Sequence, residues 1–392
     1  MEPLTWTGSL AFLNPIFLGL WAVFAVAVLA QIVLSMFAPA PELQGDALAA
    51  KRSPYDLAVL AVKSIFGLIV LTFLAYLVGG ILMPSLEAKG IIGTISTRLL
   101  PVWIALAATF ALSITFKRRL GLYGKLFDST IGMIGYAIVM FWVFVAIFGA
   151  MDLIVTHDPL AQVSGMKNAL PGEPTPDGSD IYPYYLLGGD NLARDVFSRA
   201  VRGAWEVIRI APFATLFAFM VGITLGLPAA YYGGRLDTFL TFLANLILAF
   251  PVILLFYLLV TPEIVLTGIP VYMAAVLFLF PIIFLVILIN SRFFVQPQKR
   301  NTYLAVTLVI GLWLYFGIAW NMDPLGIIDF PPNLLVVFVS VVFVNSPTVF
   351  RIVRGIALDI KTRDYVAAGQ TRGEGPWYIM LWEILPNARG PL

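Results

Sequence analysis

The side chains able to do chemistry are few and fall mainly in two stretches. LGGDNLARDVFSR, residues 187–199, sets Asp190 four residues before Arg194 and Asp195 four before Arg199. On a helix that spacing, acid first, makes ion pairs of about 0.2–0.5 kcal/mol each. They position a segment and catalyse nothing. RDYVAAGQTRGEGPWYIMLWEILPNARGPL, residues 363–392, mixes both signs of charge with glycine and proline. The chain has no cysteine, which excludes disulfides, iron–sulfur clusters and thiolate metal sites. Its one histidine, His157, cannot build a zinc site alone and, beside Asp158, reads as a solvated loop residue. There is no G-x-x-x-x-G-K-[ST] phosphate loop. No catalytic, cofactor or metal site emerges, so the chain does not read as an enzyme. A net charge of +2 implies no nucleic-acid partner.

The elements that carry these stretches are apolar. The sequence is 60% hydrophobic and 12% charged, against about 45–50% and about 25% in soluble proteins. A helix needs about 20 mainly apolar residues to cross about 30 Å of hydrocarbon. Nine segments qualify: 13–38, 57–83, 99–116, 131–151, 206–230, 238–260, 271–290, 303–320 and 334–350. The fold expected is all-α, a polytopic helical membrane protein; a barrel would show short alternating segments. The N-terminus lacks the basic region and cleavage site of a signal peptide, so the first run reads as a retained span.

Lys and Arg in short loops mark the cytoplasmic side. Lys117, Arg118, Arg119 and Lys125 lie in one linker, Arg292, Lys299 and Arg300 in another, and Arg351, Arg354, Lys361 and Arg363 follow the last span. The alternate loops carry acids: Asp323 and Asp329, Glu263, and the Pro/Gly-rich segment from Asp152 to Asp190. These assignments alternate correctly, and counting back puts the N-terminus outside. The loops at 39–56 and 84–98 have mixed charge. Within the spans, Gly222 and Gly226 permit close helix packing, Tyr231–Gly234 end a span at the interface, and Asn245 is expected to face protein as structural glue. Lys63 and Glu206 lie near span ends, where they snorkel. The 190–205 stretch suits an interfacial helix.

In the tail, Arg363–Arg372 suits a short helix with Thr362 as N-cap. Gly373 can take the left-handed conformation that closes it. Pro376 fits the first turn of a second helix, in which Trp377, Met380, Leu381 and Ile384 share one face. Pro386 ends or bends it. Ala367, Ala368 and Gly369 allow close approach by a partner. A tail of this kind also suits a helix lying on the membrane surface.

This pattern resembles the coupling loop of ABC importer permeases, an E-A-A motif followed by a distant glycine and an I-x-L-P variant. The corresponding residues are Ala367, Ala368, Gly369, Gly373, Ile384, Leu385 and Pro386. The R-[DE]-Y-V run with Asp364 and Tyr365, and L-P-N at 385–387, resemble the dipeptide/oligopeptide branch. The motif's Glu is Ala367 here. Residues 187–199 resemble the branch's L-G-T-D-x-x-G-R-D-x-x-S-R through Gly188, Asp190, Arg194, Asp195, Ser198 and Arg199, with Gly189 for Thr and Ala193 for Gly. AYYGGRLDTFLTFLANLILAFPVILL, 230–255, Asn345–Pro347 and Arg351–Gly355 extend the match, which covers 125–260 and 334–392.

The resemblance implies the transmembrane permease subunit of a bacterial ABC importer in the inner membrane, with di- or oligopeptides as cargo. It implies as partners ABC ATPase subunits, a second permease in a heterodimer, an extracellular or periplasmic substrate-binding protein and the lipid bilayer. Against the family's architecture, 1–119 adds three N-terminal spans, 120–260 holds the first family-like span, the external loop and core spans, 261–333 inserts a pair of spans, and 334–392 holds a core span with the coupling loop. An inserted pair preserves sidedness. The family continues past L-P into two more spans. The resemblance therefore implies a sequence shortened at its C-terminus, a fragment, or a core completed by another subunit. The other classes are an ion-coupled secondary transporter, which would need a titratable group in mid-span, and a non-transporting membrane scaffold.

Overall fold

The computed structural model describes residues 1–37, 54–176, 182–328 and 330–388. Most of the loop at 39–56, part of the acidic external segment, Asp329 and the last four tail residues lie outside the described residues. The chain is an all-α polytopic membrane protein. Among the described residues seven helices are long and apolar enough to cross a membrane, or nine spans if each of two bent pairs is one. Two compact units divide it, Met1–Ile208 and Arg209–Leu392.

In the first unit α1 (Asn14–Phe37), α2 (Pro54–Leu82), α3 (Leu86–Arg98), α4 (Leu100–Phe116) and α5 (Thr130–Ala150) match the first four predicted spans, with α3 as an added segment. α3 and α4 meet at a 54° bend, beside Pro101, which has no N–H to bond back to Thr97. Ser85 caps α3 by accepting the Ala88 N–H at 3.2 Å. Ile91, Val102, Val145, Ile154, Leu186 and Phe197 share one buried core. The long loop is thereby packed onto helix ends. It carries a two-stranded antiparallel ribbon, β1 (Glu173–Pro174) and β2 (Tyr184–Tyr185), with Glu173 opposite Tyr185. The N-terminal segment joins it: the Leu4 N–H donates to the Gly172 carbonyl at 2.9 Å, and Thr5 O accepts from Ile91 N at 2.9 Å. N-terminus and long loop thus share one end, as the span count requires.

The remaining helices are α6 (Val196–Tyr232), inside which the boundary between the units falls, then α7 (Gly234–Leu248), α8 (Val252–Val260), α9 (Ile269–Leu277), α10 (Leu279–Arg292), α11 (Pro297–Ala319) and α12 (Pro332–Ile360). Four expectations change here. The span at 238–260 is broken by 81° between α7 and α8, because Pro251 lacks an N–H and disfavours helix at Phe250. The 190–205 stretch is no separate helix; from Val196 it is the first part of α6. The last span runs on to Ile360, so Arg351 and Arg354 are helical. Asn245 is exposed rather than facing protein, because Ala244 takes the inward position against Ala229 and Phe350.

Gly222 and Gly226 act as expected. A Cβ on Gly222 would fall 2.5 Å from Val349 Cγ1, and one on Gly226 would fall 3.1 Å from Phe350 O. Their absence lets α12 lie directly on α6. Gly233 and Gly234 follow α6 with φ of +64° and +61°, the turn that the Tyr-Tyr-Gly-Gly run predicts.

Candidate functional sites: the external motif and the jointed tail

In the 187–199 motif neither acid sits in a helix: Asp190 closes a turn and Asp195 caps the start of α6. Asp190 Oδ1 accepts the N–H groups of Leu192 at 2.8 Å and Arg194 at 3.0 Å. Its Oδ2 accepts Arg194 Nε at 2.8 Å and lies 3.4 Å from Arg199 Nε. Partial desolvation raises the Asp190 carboxyl, but the backbone and guanidinium donors outweigh it and hold the pKa at about 2. Gly188 has φ +81° and Ala193 has φ +60°. Ala193 stands where the family pattern has glycine, in a conformation that glycine alone adopts freely.

Asp195 does not pair with Arg199. It is the N-cap of α6: its Oδ2 accepts the Ser198 N–H at 3.0 Å and the Ser198 hydroxyl at 2.5 Å. The Asp195 carboxylate is turned inward to Ser198, Thr156 and His157 and is not presented to Arg199. Arg199 turns to Asp190 instead.

His157 is the larger correction. It is buried, with Nδ1 3.4 Å from Asp195 Oδ2. Nε2 donates to the Tyr182 carbonyl at 3.0 Å, and the Tyr185 ring meets the imidazole edge-on at 4.9 Å. Thr156 donates to Asp195 at 3.0 Å, and the His157 N–H donates to Ser198 Oγ at 3.0 Å. Burial raises the Asp195 carboxyl, while hydrogen bonds from His157 and Ser198 outweigh that and hold it below the usual range. Ser198 thus ties the exit of α5 to the entry of α6. The D-x-x-S spacing is an N-cap signal; the contact with His157, 38 positions upstream, has no local signature.

The tail forms α13 (Asp364–Thr371) and a second segment that starts helically at Pro376 and passes through a wide π turn, Ile379–Ile384, into a 3₁₀ turn, Leu385–Ala388. Gly373, with φ +77°, is the joint. The cap of α13 is Arg363, not Thr362, because the Thr362 hydroxyl bonds back to the Asp359 carbonyl at 3.0 Å. Met380, Leu381 and Ile384 are buried and Trp377 partly so, and the π turn adds Ile379 to that face. Leu385 and Pro386 are half-buried. On α13, Val366 and Gly369 face inward, while Asp364, Tyr365, Ala367 and Ala368 are exposed. Gly369 serves the internal contact with Ile379 and Glu383 and is not on the open face.

Contacts that the sequence did not suggest hold the tail in place. Lys361 Nζ donates to the Ala230 carbonyl at 2.8 Å and Tyr231 O at 3.2 Å, capping the C-terminus of α6. Arg372 reaches Glu383 at 2.8 Å across the joint. Trp382 Nε1 donates to Ser291 Oγ at 3.0 Å, and the Arg292 guanidinium lies 4.8 Å from the Trp382 ring centroid. Among the described residues no group of three or more His, Cys, Asp or Glu could hold a metal.

Residues 222–392 match the family described as binding-protein-dependent transport system inner membrane component. The chain is similar to the dipeptide transport system permease protein of Haemophilus influenzae, 26% identical over 214 residues, covering 54% of this chain and 48% of that protein. The corresponding dipeptide permease of Alkalihalophilus pseudofirmus is 22% identical over 270 residues, covering 69% and 63%. A glutathione transport system permease protein of Pectobacterium atrosepticum is 38% identical over 204 residues, covering 52% and 46%. The chain therefore spans about half to three-fifths of the length of these relatives. No solved structure matches it. The resemblance to dipeptide/oligopeptide ABC importer permeases is borne out, and the chain is a multi-pass inner-membrane protein.

Proposed function

We propose that this chain, whose residues 222–392 match an inner membrane component of binding-protein-dependent transport, is the permease subunit of a bacterial ABC importer for di- or oligopeptides. It performs no chemical step. Two partner ATPase subunits supply the energy, a second permease completes the pathway, and a substrate-binding protein delivers cargo. The observation that carries the reading is the two-sided α13. Val366 and Gly369 fix it from beneath, and Tyr365, Ala367 and Ala368 are left open at the end shared with Tyr231 and Ser291.

Force on that face has a direct route into the membrane. Lys361 holds the end of α6, so displacement of the tail moves α6 and α12 as one lever. Shifting a two-state pathway from 1:99 to 99:1 takes about 5.5 kcal/mol of differential binding, which ATP-driven closure of the partners would supply. The Gly373 joint is part of this lever, because the Arg372–Glu383 pair closes it.

Site-specific photocrosslinking tests the reading. A photoreactive side chain at Ala368 is expected to capture an ATPase subunit, and one at buried Val366 is not. Labelling of lipid alone from Ala368 would replace the docking role with that of a membrane-surface helix.

A further inference from the structure

We propose that the outer end of α3 and α4 holds a binding site for a phosphate-class oxyanion, carried in the membrane by an anionic phospholipid. A cavity of about 450 Å³ opens there between Leu86, Lys89, Thr94, Thr97, Arg98, Leu100, Pro101, Leu153 and Tyr182. Both of its cations are half-buried, and among the described residues neither pairs with a carboxylate. Lys89 Nζ reaches only the Thr97 hydroxyl, at 3.0 Å, and the Arg98 guanidinium lies over the Tyr182 ring at 4.5 Å. Burying unpaired positive charge is costly unless an anion compensates it.

The second observation is independent of charge. Thr94 and Tyr182 line the same cavity and are only 1% and 5% exposed; their buried hydroxyls have no partner at good hydrogen-bond geometry and interact loosely with each other and with Arg98 beneath the cavity wall. Buried polar groups without partners are rare in folded proteins. An ammonium and a planar guanidinium fork over this polar floor match a tetrahedral oxyanion with several acceptor oxygens. No side chain lining the cavity is acidic.

The apolar part of the wall identifies the source. Leu86, Leu100, Pro101 and Leu153 border the charged end, and Leu100 and Leu153 are exposed beside the ends of α4 and α5. An acyl tail can follow that strip while its head group sits among Lys89, Arg98, Thr94 and Tyr182. The site belongs to the added N-terminal spans and to the loop they brace, and it does not depend on the transport reading.

Native mass spectrometry of the full-length protein in detergent tests it. Titration with phosphatidylglycerol is expected to give a retained adduct, and phosphatidylcholine none. Arg98→Gln with Lys89→Gln should weaken the adduct by about a hundredfold, because both charge-assisted contacts to the head group are lost. Tyr182→Phe, which keeps the ring under Arg98, should weaken it less while leaving the thermal unfolding midpoint unchanged. Displacement of the adduct by inorganic phosphate would confirm the oxyanion and show that a free anion also fits. Equal retention by wild type and the double variant, or equal binding of phosphatidylcholine, would overturn the site.

Discussion

Arg354 grips Asp237 with two nitrogens at once: Nη2 lies 2.6 Å from Oδ2 while Nε engages Oδ1. The residues are 117 positions apart, on α12 and on the first turn of α7. Thr241 adds a hydrogen bond to the same carboxylate at 3.3 Å. The helix that leads to the tail is thus clamped to the start of the broken span. Bidentate guanidinium–carboxylate geometry fixes direction as well as distance, so α7 follows α12 when the tail moves.

Asp237→Asn tests the clamp. Removing one member of a buried pair costs about 3–5 kcal/mol; with the two side chains 18% and 27% exposed, about 2 kcal/mol is expected. Arg354→Lys, which keeps the charge but loses the fork, should cost about half as much. Thermal unfolding in detergent measures both. On the proposed function, peptide uptake in vesicles should fall further than stability does, and equal loss in both variants would make the lost fork geometry, not the charge, the cause.

Ala193 stands at φ +60° in the external turn. Left-handed backbone costs a non-glycine residue about 1–2 kcal/mol, and glycine gives back about 0.4–1 kcal/mol through the unfolded chain. Ala193→Gly is therefore expected to stabilise the protein by about 0.5–1 kcal/mol, read as a higher unfolding midpoint. A lower midpoint would mean that the methyl group contributes more than the strain removes.

Acid should loosen the same turn before it unfolds the helices. Asp190 and Asp195 both have folded pKa values below the ordinary carboxylate range, Asp190 at about 2. A depressed pKa gives stability that is full above the unfolded value, about 3.9, and is lost as the pH falls toward the folded one. Hydrogen exchange of residues 186–199 should stay protected at about pH 6 and become faster between about pH 4 and pH 2. Asp190→Asn should show faster exchange of the turn already at neutral pH and only the smaller acid step that Asp195 retains.

Much of this was legible in the sequence for a physical reason. Apolar runs long enough to cross a bilayer must be helical, since lipid satisfies no backbone group, and among the described residues each of the nine predicted segments is mainly helical, the sixth with a break at Ala249–Pro251. Gly222, Gly226, Gly233 and Gly373 were readable because close approach and left-handed turns leave few residue choices. What stayed hidden depends on contacts far apart in the sequence. His157 and Asp195 meet across 38 positions, and neither flank signals it. The i, i+4 spacing at Asp195 and Arg199 misled, because the same Asp also fits an N-cap and the cap won. Asn245 was misplaced by one helical step, which no periodicity in so apolar a segment could decide.

Gly222 and Gly226 should differ in what they tolerate. A methyl at Gly222 meets Val349 Cγ1 at 2.5 Å and Phe350 N at 3.0 Å, whereas at Gly226 the nearest atoms are at 3.1 Å. Overpacking costs about 1–3 kcal/mol, so Gly222→Ala is expected near the top of that range and Gly226→Ala near the bottom. Unfolding midpoints rank them, and equal costs would mean that α12 shifts as a whole rather than clashing locally.

The segment 261–333 gains a role from Trp382. Its indole N–H bonds Ser291 and its face receives Arg292, both at the end of α10. Phe284, Ile287 and Leu288 of the same helix pack against the buried face of the tail. α10 therefore braces the buried side of the tail. Trp382→Phe keeps most of the apolar volume but removes the hydrogen bond and weakens the cation–π contact, together about 1–2 kcal/mol. Limited proteolysis should then cut within 364–388 faster, while the unfolding midpoint falls only slightly. Ser291→Ala should reproduce the part due to the hydrogen bond, and Arg292→Gln the rest. If all three leave cleavage unchanged, the tail is held by Lys361 and its own core, and α10 is not its brace.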